Sequence, residues 1–398
     1  MNLPLKKLGD VAQILNGYAF KSSGYVDQGI RIIRITNVQK GKIQDINPQY
    51  FPSSSINEIS NYLLNDGDLL ISLTGNVGRV GIITKEFLPA ALNQRVGCIR
   101  VRNNEDINIE YLYQYMNTDS FEKLCINNSN GVAQLNLSTK WLESHQIPLP
   151  PLEDQIHIAN VLSRAEALIA KRKESLALLD AYLKSVFLEM FGDPVRNEKG
   201  WERVTIRDLV SEVKYGTSKS AGGGKYKYLR MNNITSEGYW DFTNLKTISI
   251  KDAEKEKYSL KKNDLVFNRT NSKELVGKTA VYNSDEEVII AGYLIRIRTN
   301  SQANPYFIWG YLNSKAGKLR LFNLCRNIVG MANINAQELQ DIPILFPPLT
   351  LQNQFAAVVE KVEALKETYQ KSLVELENLY GSLSQRAFRG ELGENQSL

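Results

Sequence analysis

Two long stretches of the chain place an apolar residue at alternating steps of four and three. In the first, Ile158, Leu162, Ala165, Ile169, Arg172, Leu176, Leu179, Leu183, Val186 and Met190 keep this spacing, with Arg172 the one polar intrusion. In the second, Val358, Val362, Leu365, Tyr369, Ser372, Leu376, Leu379 and Leu383 keep it, broken at Ser372. The alternation is that of an a/d coiled-coil seam. Each stretch runs about 38 residues, or roughly 57 Å of helix at 1.5 Å per residue. A stripe of that length cannot be buried along its whole extent against an adjoining globule. Each helix needs a partner helix, and the other copy is the one at hand.

Both helices are launched by the same phrase. "IPLPPLEDQ" spans Ile147–Gln155 and "IPILFPPLTLQ" spans Ile342–Gln352. A residue before proline is kept out of the α region, and proline suits the first helical turn. Pro150-Pro151 and Pro347-Pro348 therefore end one segment and start the next at a fixed angle.

The segments before the prolines carry shorter patterns. "IRIIRI", "DLLISL", "VGCIRVR", "DLVFN", "TAVY" and "YLIRIR" read as strands between turn residues. "IEYLYQYMNTDSFEKL" and "PYFIWGYLNSKAGKLRLF" each read as one helix. These segments also repeat, roughly 200 residues apart. Lys7–Gly17 parallels Thr205–Gly216, Arg31–Ile43 parallels Lys227–Trp240, and Asn65–Ile83 parallels Lys261–Tyr282. "GVAQLN" (Gly131–Asn136) parallels "GMANIN" (Gly330–Asn335). The expected architecture is mixed α/β with an internal pseudo-two-fold repeat: two globular heads separated by two long helices that form an antiparallel coiled coil. Its segments are a first head at 1–150, a helix at 151–192, a second head at 193–347, a helix at 348–390 and a tail at 391–398. A two-fold across the helices would put one head at each end of a rod.

Charge adds an asymmetry. Residues 1–151 hold 14 Lys+Arg and 13 Asp+Glu, whereas residues 200–351 hold 22 and 15. The basic excess of the second head points to a polyanion. No apolar run is long enough for a membrane span, and "MNLPLKKLGD" lacks the core of a signal peptide, so a cytoplasmic chain is expected. Cys98, Cys125 and Cys325 are scattered, and His145 and His157 are the only histidines, so neither a disulfide framework nor a metal site is expected.

Catalytic motifs are weak. "SKELVGKT" (Ser272–Thr279) lacks the first glycine of a phosphate-binding loop, and "NPQY" (Asn47–Tyr50) has no methyl-donor motif before it. Asp68 and Asp264 recur, but at turns before strands, an ordinary place for Asp. The recurring loops suit nucleic acid instead. "SLTGNVGRVG" and "NRTNSKELVGKT" set Thr74, Asn76 and Arg79, and Arg269, Asn271, Lys273 and Lys278, around glycines; "LNQRVG" adds Gln94 and Arg95. Tyr18, Lys21, Tyr215 and Lys219 follow the first strand of each head. Arg and Lys read guanine edges or neutralise phosphate, Asn and Gln read adenine, and N–H groups near glycine can hold phosphate oxygens.

With the two Pro-Pro-Leu-x-x-Gln hinges, "FLEMFGDP" closing the first helix and "AFRGEL" (Ala387–Leu392) closing the second, the chain resembles the specificity subunit of type I restriction–modification systems over residues 1 to about 392. The resemblance implies two target-recognition domains that read a bipartite, asymmetric DNA target, one domain per half-site. It implies partners: double-stranded DNA, two adenine-N6 methyltransferase subunits, and restriction subunits. Methyl donor and ATP would be bound by those partners, and this chain would bind no cofactor and catalyse nothing. The alternative on the residues alone is a coiled-coil adaptor that joins protein partners without reading DNA.

Overall fold

The computed structural model describes residues 3–131, 134–328 and 331–392. Part of the recurring Gly131–Asn136 and Gly330–Asn335 segments, namely Val132, Ala133 and Gly330, and residues 393–398 of the tail lie outside the described residues. The chain forms two compact units: Met1–Arg172 with Ser372–Leu398, and Lys173–Lys371. Each contains one head and one segment of each long helix.

In the first unit an antiparallel sheet has the spatial order Ala12–Asn16, Val96–Val101, Leu69–Ser72, Val80–Ile82. Alternation along these strands divides the core in two, because successive side chains point to opposite faces. Leu69, Ile71 and Ile99 pack with Leu112, Met116 and Phe121 from the helical side. Leu70 and Cys98 pack with Ile33 and Leu92 on the other side. Ile33 and Leu92 belong to a second sheet in which Ile30–Ile33 pairs parallel with Ala90–Leu92 and antiparallel with Tyr50–Phe51. Leu5–Lys7 pairs with Gln146–Pro148 and brings both ends of the head together at the hinge.

The second unit repeats this plan. Its main sheet runs Val210–Tyr215, Leu294–Thr299, Leu265–Asn268, Thr279–Val281, and its second sheet joins Tyr226–Leu229 to Lys246–Ile248 and Val288–Ile290. Glu202–Thr205 pairs with Pro343–Phe346 at the hinge. One core position differs sharply. Opposite Leu70 in the first head lies Cys98, whereas opposite Val266 lies Arg296, only 1% exposed. Its guanidinium donates to Glu212 at 2.6 Å and to the carbonyls of Glu256 and Ser259, so the buried charge is paired.

Each segment expected to form one helix forms two. Ile109–Met116 and Asp119–Asn127 are separated at Thr118, and Pro305–Asn313 and Lys315–Leu324 at Ser314. The hydroxyl oxygen of Thr118 accepts from the Phe121 N–H, and that of Ser314 from the Gly317 N–H. A side-chain N-cap offers a fresh helix start that competes with continuation.

The long helices span Leu152–Phe191 and Leu349–Phe388. In the first unit Ile158 and Leu162 pack with Leu383 and Ala387, and Glu166 meets Tyr380. In the second, Asp180 pairs with Lys366 at 2.6 Å, and Phe187 and Phe191 pack on Phe355. Numbers rise on one helix as they fall on the other, so the segments run antiparallel within each unit.

On the first helix Ile158, Leu162, Ala165 and Leu183 are buried, and Ile169, Leu176, Leu179 and Val186 half-buried. On the second, the expected seam departs from the covered face at two positions. Val362 is buried and Val358, Tyr369, Leu376 and Leu383 are half-buried, but Leu365 and Leu379 are 39% and 51% exposed. The covered face instead runs through Phe355, Val359, Val362, Lys366, Tyr369, Leu373, Leu376 and Tyr380. Two four-three ladders share Val362, Tyr369, Leu376 and Leu383, and the one used includes amphipathic side chains. Lys366 lays its stem inward while its ammonium reaches Asp180 and the Tyr239 ring; Tyr380 buries its ring while its hydroxyl donates to Gln114.

Candidate nucleic-acid interface

At one end of each main sheet, main-chain hydrogen bonds tie several loops into a single edge. In the first head the Gln94 N–H donates to the Tyr18 carbonyl, Leu73 N–H to Arg95, and Leu137 N–H to Leu73. The Thr74 hydroxyl lies 3.3 Å from Asn136 Oδ1. In the second head the Arg269 N–H donates to the Tyr293 carbonyl, Ile334 N–H to Arg269, and the Thr270 hydroxyl lies 3.2 Å from Asn333 Oδ1. The frame is the same in both, and it sets Asn136 against Asn333 rather than against Asn335, the match that the sequence parallel of the two segments implies.

Gly17 and Gly216 fix the correspondence. A Cβ on either would lie 2.3 Å from backbone atoms of Asn93 or Ala291, an approach that only glycine permits. Tyr18 therefore corresponds to Thr217, and each bridges the next strand in parallel, to Asn93 and Ala291 respectively. Tyr215 corresponds to Asn16, so the two tyrosines singled out from the sequence are not counterparts.

The structure brings Tyr18, Thr74, Gln94 and Arg95 onto the first edge, with Asn76 exposed on the turn beyond Thr74. Gln94 and Arg95 are exposed; Tyr18 is held by its hydroxyl, which donates to Glu58 at 2.8 Å. That carboxylate raises the Tyr18 pKa. Lys21 is exposed and has no ion-pair partner among the described residues. On the second edge the Arg269 guanidinium stacks 4.7 Å from the Tyr215 ring centroid, and the Tyr215 hydroxyl accepts from the Ala336 N–H. Asn271 Oδ1 accepts from the Ser272 N–H.

Other candidates are engaged elsewhere. Lys278 turns inward and donates to the Met231 and Ile234 carbonyls, and burial lowers its pKa. Its counterpart Arg79 reaches Gln39 at 3.2 Å and Glu122 at 4.0 Å. Lys219 is paired with Glu254 at 2.6 Å, and the Lys273 ammonium lies 4.3 Å from the Phe322 ring centroid. The N–H groups of the glycines before Arg79 and Lys278 are used within the head, donating to the Ser72 and Asn268 carbonyls. Gly78 and Gly277 hold φ of +83° and +84°, and an added Cβ would meet Cys125 Cβ at 2.8 Å or Leu321 Cδ1 at 2.6 Å. They let a helix approach the turn.

Sequence reasoning missed three features of the edge: Tyr293, 51% exposed, and the hydrogen-bonded Asn136 and Asn333. The signal was present, since the repeat sets "NQRVG" against "AGYL" and so Arg95 against Tyr293.

The hinge glutamines have a job of their own. Gln155 is 1% and Gln352 0% exposed. Gln155 Oε1 accepts from Asn108 N–H at 2.9 Å while its amide donates to the Pro150 carbonyl at 2.9 Å. Gln352 repeats both bonds, with Asn304 and Pro347, at the same distances. Asn108 and Asn304 are themselves N-caps, so each glutamine locks a long helix to the first helix of its head.

Groups suited to covalent or metal chemistry are occupied structurally. Burial raises the Cys98 thiol well above its usual range and pushes that of Cys125 up to about 12. His145 stacks on Trp141 and meets the Tyr115 hydroxyl at 3.0 Å, and burial lowers its pKa. Asp68 and Asp264 accept the backbone N–H of Asn65 and Lys261 and pair with Arg100 and Arg298. Among the described residues no cluster could hold a metal ion, and no helix is long and apolar enough to cross a membrane.

A duplicated α/β head carried on long helices, with a built polar edge in each copy, defines a recognition protein. A family model of the type I restriction modification DNA specificity domain matches the chain twice, over residues 4–178 and 198–378, and the chain belongs to that family. It is 22% identical to the type I restriction enzyme EcoKI specificity subunit of Escherichia coli (strain K12), across 96% of this chain and 87% of that one. It is 24% identical to the StySPI specificity subunit of Salmonella potsdam, with the same coverage. The crystal structure of an S subunit from M. genitalium has the same fold, with a TM-score of 0.59 at 14% identity over 98% of this chain and 96% of that one.

Proposed function

We propose that this chain is the DNA-specificity subunit of a type I restriction–modification complex. Each head reads one half-site of a bipartite target, and two unlike heads give an asymmetric target. The observation that carries the reading is the pair of edges: one hydrogen-bonded frame built twice, presenting different side chains. The antiparallel helix segments favour half-sites read in opposite orientation, with an unread spacer between them.

The chain acts as a recognition component and leaves chemistry to its partners. Two adenine-N6 methyltransferase subunits and the restriction subunits dock on it, and they bind the methyl donor and ATP. The complex works in the cytoplasm. The test is single-molecule methylation sequencing of cells that express the chain with its partner subunits. The expected result is adenine methylation at one bipartite asymmetric motif. A continuous or symmetric motif would overturn the reading. The purified chain alone should bind duplex DNA with a steep salt dependence, because phosphate contacts release counterions. A salt-independent interaction would favour the adaptor alternative, and stoichiometric binding of methyl donor to the isolated chain would contradict the division of labour.

A further inference from the structure

We infer that one position of the repeated edge, Arg95 in the first head and Tyr293 in the second, determines the identity of one base pair in each half-site. The inference rests on the proposed function and deepens it. Both residues occupy the turn that joins the parallel strand of the second sheet (Ala90–Leu92 or Val288–Ile290) to the long strand of the main sheet (Val96–Val101 or Leu294–Thr299). Both have the carbonyl locked across the sheet, at 3.0 Å from the N–H of Leu73 and of Arg269. The backbone is the same; the side chain is not.

Both side chains are available. Arg95 is exposed, and its guanidinium makes no hydrogen bond or ion pair among the described residues. Tyr293 is 51% exposed, and its hydroxyl makes no hydrogen bond among them. An unpaired guanidinium on a fixed backbone suits bidentate donation to guanine O6 and N7 in the major groove, and a phenol ring suits apolar contact with a thymine methyl. The neighbouring position shows the complementary change. Leu73 is buried in the first head, whereas Arg269 carries a guanidinium onto the Tyr215 ring in the second. Each edge therefore offers an arginine from a different segment, the turn before Val96 in the first head and the residue after Asn268 in the second, which would set the two heads to different bases. The identical Thr74–Asn136 and Thr270–Asn333 pairs beside it belong to the frame.

The experiment expresses Arg95→Ala and Tyr293→Ala chains with all partner subunits and maps methylated motifs by single-molecule sequencing. It is paired with salt titrations of DNA binding by each purified complex. Arg95→Ala should lower the preference for one base pair of one half-site by roughly 5- to 150-fold, with the other half-site unchanged. Tyr293→Ala should do the same in the other half-site only. An unchanged motif with a salt slope shallower by about one would make Arg95 a phosphate contact and overturn the inference. An unchanged motif and slope would also overturn it, as would changes in both half-sites from one substitution. If Arg95→Ala does not assemble, Arg95→Lys provides the second variant: it keeps the charge but loses the bidentate fork, so it should relax the same base pair without altering the slope. Failure of the underlying reading would look different, because the unsubstituted complex would then show no bipartite motif.

Discussion

The helix clamps and the recognition edges of the two heads teach opposite lessons. At the clamps the copies agree atom for atom: Gln155 and Gln352 are buried, accept from an N-cap N–H and donate to a hinge proline carbonyl at matching distances. At the edges the frames agree and the exposed chemistry diverges, Arg95 against Tyr293 and Leu73 against Arg269. Two heads held alike and tipped unlike are what reading two different half-sites requires. Beside the clamps, each unit places a glutamate and a ring cluster between long helix and head, with different members. Glu166 gathers Gln114, Asn117 and Tyr380 while Phe388 meets Tyr111 and Tyr115 in the first. Glu363 meets Tyr306 while Phe187, Phe191, Phe307 and Phe355 pack in the second.

Substitutions at the clamp should have the largest effect. Gln155→Leu and Gln352→Leu each leave a buried N–H and a buried carbonyl unpaired, at a cost of ~2–4 kcal/mol. Urea unfolding should show losses of similar size for both, while the methylated motif of surviving complexes stays the same. An altered motif would place the clamp in recognition and break the comparison.

Next come Gly78→Ala and Gly277→Ala. Strained φ together with a Cβ inside contact distance of the neighbouring helix should cost ~1–3 kcal/mol. The salt dependence of DNA binding should not change. A stable variant with a flatter salt slope would restore the phosphate-cradle reading.

Glu363, eleven residues after Gln352 as Glu166 is after Gln155, gives the second unit a pH signature. Burial pushes its pKa up to about 7, from an ordinary 4.5, against the opposing effects of the Tyr306 hydroxyl at 3.4 Å and of Lys366, with Glu360 adding to the rise. The folded state thus holds a proton that the unfolded state has released between about pH 4.5 and 7. Stability from this group is present at low pH, falls as pH rises through 7, and is flat above. Melting temperature should decline over that window, and Glu363→Gln should remove that part of the decline. A decline unchanged by the substitution would assign it to other groups.

The smallest effects should separate the inward from the outward cations. Lys278→Met should cost ~1 kcal/mol through the Met231 and Ile234 carbonyls and leave the salt slope intact. Lys21→Ala should leave stability intact and reduce the slope by at most about one. The reverse pattern would mean that the orientations described for these lysines are not those of the DNA-bound state.

The sequence made the large features legible because they rest on period. The four-three ladders predicted both long helices, the period-two runs predicted the strands, and the duplication predicted two like heads. It was blind where two local solutions compete. The ladder through Leu365 and Leu379 is more apolar than the ladder used, which includes Lys366 and Tyr380, and only tertiary partners such as Asp180 and Gln114 make the latter better. The breaks at Thr118 and Ser314 turn on a single capping bond each. At the edges, residue type identified cations but not their partners, so Lys278, Lys219 and Arg79 looked as available as Arg95. Residue type does not mark Tyr293, an aromatic side chain in a loop; its meaning lies in the position it shares with Arg95.

If each head independently reads one half-site, exchanging heads must exchange half-sites. Replacing the second head by a copy of the first, in a chain expressed with its partner subunits, tests it most directly by single-molecule methylation sequencing. The expected result is a symmetric target in which the first half-site recurs in inverted orientation across the spacer. Retention of the original second half-site, or a new motif related to neither, would contradict it.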